Sequence, residues 1–310
     1  SFLLPAAVGL PYNIILIFIM LYFGSLYGIT AAAVAMVIAI ASQFALQLHG
    51  LAKVGLFSPG ETKLYHPGLK EIALLTGPIL IGLLGNEINL IVDRILASTL
   101  AEGSITALNF AKRLYGMPNS LFGVAIMTVF YPELTRLAAI AEHNELKRCF
   151  QRAVTSILLM LTPMMIGYIT LRTPIVQVLF ERRAFDRAAT EATAAALLFY
   201  SLGLVAVALR QLLARTFYSF HDTRTPVLIS LSCIVLNIVF NLILIRPMGH
   251  AGLALATSLA NLLVLIPMFN LLRCRLGSVN GRKIIFSLSK IGFASVIMGV
   301  VVWCIYMQLL

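Results

Sequence analysis

Apolar positions along this chain fall into blocks of about 20 residues that recur over almost its whole length, separated by short polar stretches. A helix rising 1.5 Å per residue needs about 20 apolar residues to cross a hydrocarbon core roughly 30 Å thick, so each block predicts one transmembrane helix. Nine are predicted, over 6–23, 28–48, 72–98, 105–131, 153–171, 191–213, 226–245, 251–272 and 284–307. Composition sharpens the picture. Of 310 residues, 60% are hydrophobic and 11% charged, against about 25% charged in ordinary soluble chains. The expected fold is an all-α polytopic membrane protein, and a water-soluble one is excluded. The net charge of +11 taken alone would suit a nucleic-acid binder. With a mean hydropathy of +0.96 there is too little polar surface for such a domain, and nucleic acid is not an expected partner.

The positive charge instead orients the chain. If 49–71 faces the cytoplasm, fourteen Lys and Arg residues fall on that side, among them Arg152, Arg210 and Lys283, and five on the other. This is the asymmetry of the positive-inside rule. Four of those five, Arg172, Arg182, Arg183 and Arg187, share one amphipathic segment, LRTPIVQVLFERRAFDRAAT, which is read as a helix lying on the membrane surface or as an ordinary external loop. The remaining four basic residues, Arg94, Lys112, Arg113 and Lys290, fall within spans or at their edges. The cysteines Cys149, Cys233, Cys274 and Cys304 are scattered and suit packing rather than a disulfide framework or metal knuckle.

Shifting the sequence by 224 positions places Asn13 on Asn237, Gly28 on Gly252 and Ala32 on Ala256, a repeat of the kind from which transporters are built. Four spans precede the second copy and none the first. The expectation is that N-terminal helices are missing: about four, on the order of 150 residues at transmembrane-helix lengths. The parent would have two six-helix lobes plus extra C-terminal helices. On that reading, 1–48 is the last two helices of the N-terminal lobe and 49–71 a cytoplasmic inter-lobe linker. Residues 72–273 form the complete C-terminal lobe and 284–307 an extra C-terminal helix.

Ionisable residues inside a membrane are expensive and therefore candidates for function. Arg113 lies about eight residues, roughly 12 Å, into its span, with Lys112 beside it and Pro118 five residues on to bend the helix. A guanidinium there suits an anion such as phosphate, or an internal salt bridge to Glu87 or Asp93. Asn86, Asn89 and Asp93 share one helical stripe, and Glu87 and Arg94 could pair along its neighbour. Asn237 and Asn241 are also four apart. Together Asp93, Asn237, Asn241 and Thr257 could offer one carboxylate and neutral oxygens to a monovalent cation, or serve as interhelical hydrogen bonds. No GxSxG, HExxH, GxxxxGK[ST] or GxGxxG occurs, and no enzymatic activity is expected.

Four stretches then become recognisable: VDRILASTLAEGSITALNFAKRLYGMPNSLFGVAIMTVFYPELTRLAA (92–139), VLFERRAFDRAATEATAAALLFYSLGL (178–204), RTFYSFHDTRTPV (215–227) and GHAGLALATSLA (249–260). They resemble the MurJ (MviN) family of lipid II flippases, in order and over nearly the whole chain. The resemblance implies a two-lobe V around a central cavity, in the fold of the multidrug/oligosaccharidyl-lipid/polysaccharide exporter superfamily, with additional C-terminal helices forming a lipid groove. It implies a monomer in the bacterial cytoplasmic (inner) membrane that moves undecaprenyl-diphosphate-linked disaccharide-pentapeptide to the periplasmic leaflet for cell wall synthesis, by alternating access. Arg113 would engage the diphosphate, Lys112 would stand beside it and Thr106 would line the cavity. Asp93, Asn237 and Thr257 match positions that bind sodium among relatives, so Na⁺ is the expected coupling ion and no other cofactor is implied. Two departures stand out: Asn241 where a carboxylate can occur, and Arg183 in place of the Gly usual in the FERGAF-like motif. The rival readings are a drug/cation antiporter or another polyprenyl-linked oligosaccharide exporter of the same superfamily, and a membrane enzyme acting on polyprenyl phosphate, for which no carboxylate or His cluster is apparent.

Overall fold

The computed structural model describes residues 9–53, 84–85, 87–277 and 281–309, and all regular structure among them is helical. The chain divides into two compact units, Ser1–Lys70 and Glu71–Leu310. In the first, α1 spans Gly9–Lys53 with a break at Gly28, whose φ of 53° and ψ of −126° favour a residue without a Cβ. The predicted spans 6–23 and 28–48 thus meet at one glycine. A cavity of about 390 Å³ is lined from both sides of the break, by Ile19 and Phe23 before it and Ala31, Val34 and Ile38 after it.

The second unit runs α2 (87–98), α3 (Ser104–Pro118), α4 (Val124–Ala139), α5 (His143–Phe180), α6 (Arg187–Leu202), α7 (Leu204–Ser219), α8 (Arg224–Met248), α9 (His250–Leu276) and α10 (Gly281–Leu309). Among the described residues six helices are long and apolar enough to cross a membrane, or seven if α6 and α7 count as one bent span. The difference from nine has two sources. Residues 6–8, 72–83 and 86 of the predicted spans lie outside the described residues, and α1 holds two predicted spans in one helix.

Each irregularity has a local cause. Pro118 ends α3 in a five-residue π-turn, Asn119–Gly123, before α4 continues the same path. Pro174 cannot donate to the carbonyl four residues back, and α5 kinks at Leu171 (φ −104°, ψ 19°) yet continues to Phe180. The segment 171–190, expected as a surface-lying helix or an external loop, is therefore corrected. Its first half is the end of a membrane helix, followed by a turn in which Arg183 adopts φ 52° and Asp186 caps α6 by accepting from the Ala189 N–H at 2.8 Å. The Gly of the related motif would hold that left-handed turn without strain, whereas an arginine costs of order 1–2 kcal/mol there. α6 and α7 bend by 42° at Gly203. A Cβ at Gly203 would stand 2.9 Å from the Ser258 backbone, and the Ser258 hydroxyl donates to the Phe199 carbonyl at 2.6 Å, satisfying backbone near the break.

α8 and α9 form a hairpin about Gly249, whose φ of 57° and ψ of −133° reproduce those of Gly28. The structural counterpart of Gly28 is thus Gly249 rather than Gly252. The repeat offset becomes 221, three residues and nearly one helical turn from the value of 224 that the residue pattern suggests. Gly252 has another task. A Cβ on it would lie 2.3 Å from the Leu244 carbonyl oxygen, so only glycine permits this helix crossing. Lipid tails are as apolar as leucine, so helices in a membrane gain little from hydrophobic burial and rely on close packing of small residues. The buried Ala251, Ala254, Ala256 and Ala260 of α9 serve that end. Larger side chains fill the interior beside them, with Phe150, Ile157 and Leu161 of α5 against Leu212 and Phe217 of α7 and Met268 of α9.

One polar clamp closes the end carrying most basic residues. Asp222, in the α7–α8 turn, accepts from the Thr225 N–H and hydroxyl and pairs with Arg275 at 2.7 Å, while Arg275 also covers the Phe220 ring. Burial pushes the Asp222 carboxyl up, but the Thr225 hydrogen bonds and the Arg275 charge outweigh it and hold it below the usual carboxylate value.

Candidate functional site

The oxygen-bearing residues singled out in the sequence come together. The Asn241 amide donates to Asp93 Oδ1 at 2.7 Å and lies 3.1 Å from Asn237 Oδ1, and the Asn237 amide donates to Thr257 Oγ1 at 3.2 Å. Three helices, α2, α8 and α9, contribute to this one cluster. Asn237 and Asn241 point the same way because four residues make about one turn, and both are buried. The Thr257 hydroxyl donates onward to the Leu253 carbonyl at 3.1 Å.

The donor set fits a small monovalent cation. It holds one carboxylate and three neutral side-chain oxygens, of which Asn241 Oδ1 is fully buried without a hydrogen-bond partner. Such an orphaned acceptor is costly unless something electropositive meets it. A divalent ion would demand more charge. Among the described residues no group of three or more His, Cys, Asp or Glu side chains is placed to hold a metal. The reading of these residues as packing glue alone accounts for their mutual hydrogen bonds but leaves that acceptor unexplained. Asn89 lies on the same stripe as Asp93 and also has a buried, unpartnered side-chain oxygen, while Asn86 lies outside the described residues.

Lys112 and Arg113 are exposed on the side of α3 opposite its buried face of Leu108, Ala111 and Leu114. Thr106, Asn109 and Arg113 fall along this exposed side at spacings of three and four, so they form a polar stripe on one face. No carboxylate lies in ion-pair range of Arg113 among the described residues. The salt bridge to Glu87 or Asp93 is therefore not formed, nor is one between Glu87 and Arg94.

One polar residue escaped sequence reasoning. Arg210, counted with the cytoplasmic loops, sits inside α7, partly buried, with Nε donating to Asn261 Oδ1 at 2.9 Å. The Asn261 amide in turn donates to the Thr257 carbonyl at 2.8 Å, so the polar path runs from Asp93 through Asn241, Asn237, Thr257 and Asn261 to a guanidinium. Its signal was a single charge inside the apolar run LVAVALRQLLA. The neighbouring Gln211 receives the Asn119 amide at 3.4 Å, tying the π-turn to α7.

A family model described as "Lipid II flippase MurJ" matches residues 1–309. A probable lipid II flippase MurJ of Vibrio cholerae is 33% identical over 262 residues, which are 84% of this chain and 50% of that protein. The lipid II flippase MurJ of Burkholderia cenocepacia is 29% identical over 280 residues, 88% of this chain and 54% of that one. The chain spans about half the length of these curated relatives. Among solved structures, a lipid II flippase MurJ in an inward closed conformation shares the fold with a TM-score of 0.79 at 24% identity, covering 97% of this chain and 61% of that one. An inward-facing multidrug resistance transporter of the MOP superfamily shares it with a TM-score of 0.72 at 15% identity, covering 88% and 64%.

Proposed function

Because the chain belongs to the MurJ family of lipid II flippases, we propose that the intact protein, a multi-pass protein of the bacterial inner membrane, carries lipid-linked peptidoglycan precursor from the cytoplasmic to the periplasmic leaflet. The observation that carries this reading is Arg113: an exposed guanidinium with an adjacent ammonium, on a membrane helix, with no carboxylate to neutralise it among the described residues. Such a group is stable in a membrane only where it meets water or an anion. Its planar fork matches a diphosphate oxygen pair. The same charge disfavours a cationic drug, which speaks against the antiporter reading.

The mechanism follows from two separate sites. Arg113 and Lys112 hold the diphosphate, and Thr106 and Asn109 supply hydrogen-bonding groups along the same face of α3. No covalent step is needed, since the substrate leaves as it entered. An inside-negative potential favours outward movement of the anionic headgroup by about 2.3 kcal/mol per charge per 100 mV. Asp93, Asn237, Asn241 and Thr257 would hold a sodium ion, whose charge would tie α2 to α8 and α9 through oxygens that otherwise satisfy one another incompletely.

The test is complementation in a cell depleted of its own flippase. The intact protein restores growth and prevents accumulation of lipid-linked precursor, and its Arg113→Ala variant, expressed to the same level, does neither. Normal growth on the Arg113→Ala protein would overturn the proposed role.

A further inference from the structure

Asn89 carries an oxygen that its own surroundings do not explain. Its Oδ1 is buried and has no hydrogen-bond partner among the described residues, the same condition as Asn241 Oδ1. A buried acceptor left unpaired is costly, and two of them in one region call for a common cause.

Contacts on either side place Asn89. Gly85 and Asp93 lie four residues before and after it, the spacing that keeps one face of a helix, and both touch α8. A Cβ on Gly85 would stand 3.0 Å from Ile234 Cδ1 and 3.3 Å from Leu231 Cδ2, and Asp93 Oδ1 accepts from the Asn241 amide at 2.7 Å. Asn89 is thus at the centre of the stripe that faces α8. These contacts advance in the same direction along both segments, which sets Asn89, midway between Gly85 and Asp93, level with Asn237.

The donors at that level are spent. An amide has two N–H groups, and the Asn241 nitrogen lies 2.7 Å from Asp93 Oδ1 and 3.1 Å from Asn237 Oδ1, while the Asn237 amide turns to Thr257. What meets the Asn89 oxygen therefore comes from outside the chain, and a carboxylate one turn away favours a cation. Asp93 supplies at most two oxygens, and Asn237, Asn241 and Thr257 one each, whereas a cation of the size of calcium or sodium collects about six. We propose that Asn89 Oδ1 is a further ligand of the cation held by Asp93, Asn237, Asn241 and Thr257, so that α2 and α8 each present a pair of residues one turn apart. The inference rests on the cation reading above and adds to it a ligand and a basis for selectivity. Four neutral side chains around a single carboxylate keep the site monovalent, and Asn89 is one of the four.

The test is sodium binding to the intact protein purified in detergent, followed by calorimetry and by thermal unfolding, with choline replacing sodium at constant ionic strength. Asn89→Leu should weaken sodium binding about tenfold, the loss of one oxygen from a charge. Its melting point without sodium should equal or exceed that of wild type, because a buried unpaired acceptor has been removed. Asn89→Asp supplies a second carboxylate and should bind calcium about tenfold more tightly than wild type does. Unchanged sodium affinity in Asn89→Leu, with binding abolished in Asp93→Asn, would overturn the further ligand, leave the cation site standing and assign the Asn89 oxygen to a buried water. A calcium affinity of Asn89→Asp equal to that of wild type would also overturn it, whether or not Asn89→Leu folds. Absence of sodium binding in wild type would overturn the ligand and the cation site together.

Discussion

Replacing Gly252 by alanine tests how the hairpin that carries the oxygen cluster is built. The added Cβ would stand 2.3 Å from the Leu244 carbonyl oxygen and 2.8 Å from its carbon, where an unstrained C···O contact is about 3.3 Å. α8 and α9 must then separate by about 1 Å. Overpacking of this kind costs about 1–3 kcal/mol, and the better helix propensity of alanine returns about 0.5–1 kcal/mol, leaving a net loss of about 1–2 kcal/mol. The consequence reaches the site. Thr257 lies five residues further along α9, and its 3.2 Å bond from Asn237 is no longer a hydrogen bond if stretched by a few tenths of an ångström. Thermal unfolding of the purified intact protein should show Gly252→Ala melting several degrees below wild type, and the stabilisation by sodium proposed for wild type should be lost with it. Gly167→Ala, where a Cβ meets nothing within 4 Å, should match wild type or exceed it. Equal melting of Gly252→Ala and wild type, or a lower melting point for Gly167→Ala alone, would refute the packing argument.

Arg183→Gly should stabilise the protein by about 1 kcal/mol, because φ 52° is strained for arginine and free for glycine; unfolding midpoints check this, and a loss of stability would contradict it. Asp222 has a folded carboxyl below its ordinary value, so its contribution is present at neutral pH and is lost as pH falls through that depressed value. Asp222→Asn should thus be destabilised by about 1 kcal/mol at pH 7, with the difference from wild type closing as the medium is acidified below pH 4, measured by unfolding across pH. Asp93→Ala removes the one carboxylate of the oxygen cluster and should abolish the sodium dependence of transport in reconstituted vesicles; an unchanged sodium dependence would remove the cation from the account.

The spans were legible because bilayer thickness fixes the length of an apolar block whatever surrounds it, and α8, α9 and α10 begin and end close to where the blocks do. The irregular places were less so. Losing one donor at Pro174 bends α5 without stopping it, so the segment 171–190, which reads as one amphipathic helix or a loop, divides between the end of α5, a turn and the start of α6. The repeat register came out one turn away, since three residues return a helix nearly to the same face and Gly252 competes with Gly249 as the matching glycine. In the site, the spacing of Asn237 and Asn241 puts two amides on one face, and Asp93, 148 positions from Asn241, joins them as an intramembrane carboxylate although no local pattern links the two. Arg210 was hidden for the opposite reason. Its position near the end of an apolar block reads as a loop, and only the bend at Gly203 and the partner on α9 place it inside.

The most direct measurement is translocation itself. The intact protein is reconstituted in vesicles containing fluorescent lipid II, with a membrane potential negative on the side facing the cytoplasmic loops, and the fraction of headgroup exposed on the opposite face is followed over time. Wild type should accumulate the headgroup on that face, faster at larger potential, and Arg113→Ala should fall at least about 100-fold, the loss of a charge-assisted bidentate contact of roughly 3 kcal/mol. Translocation by Arg113→Ala at the wild-type rate, or no translocation by the wild-type protein, would contradict the account.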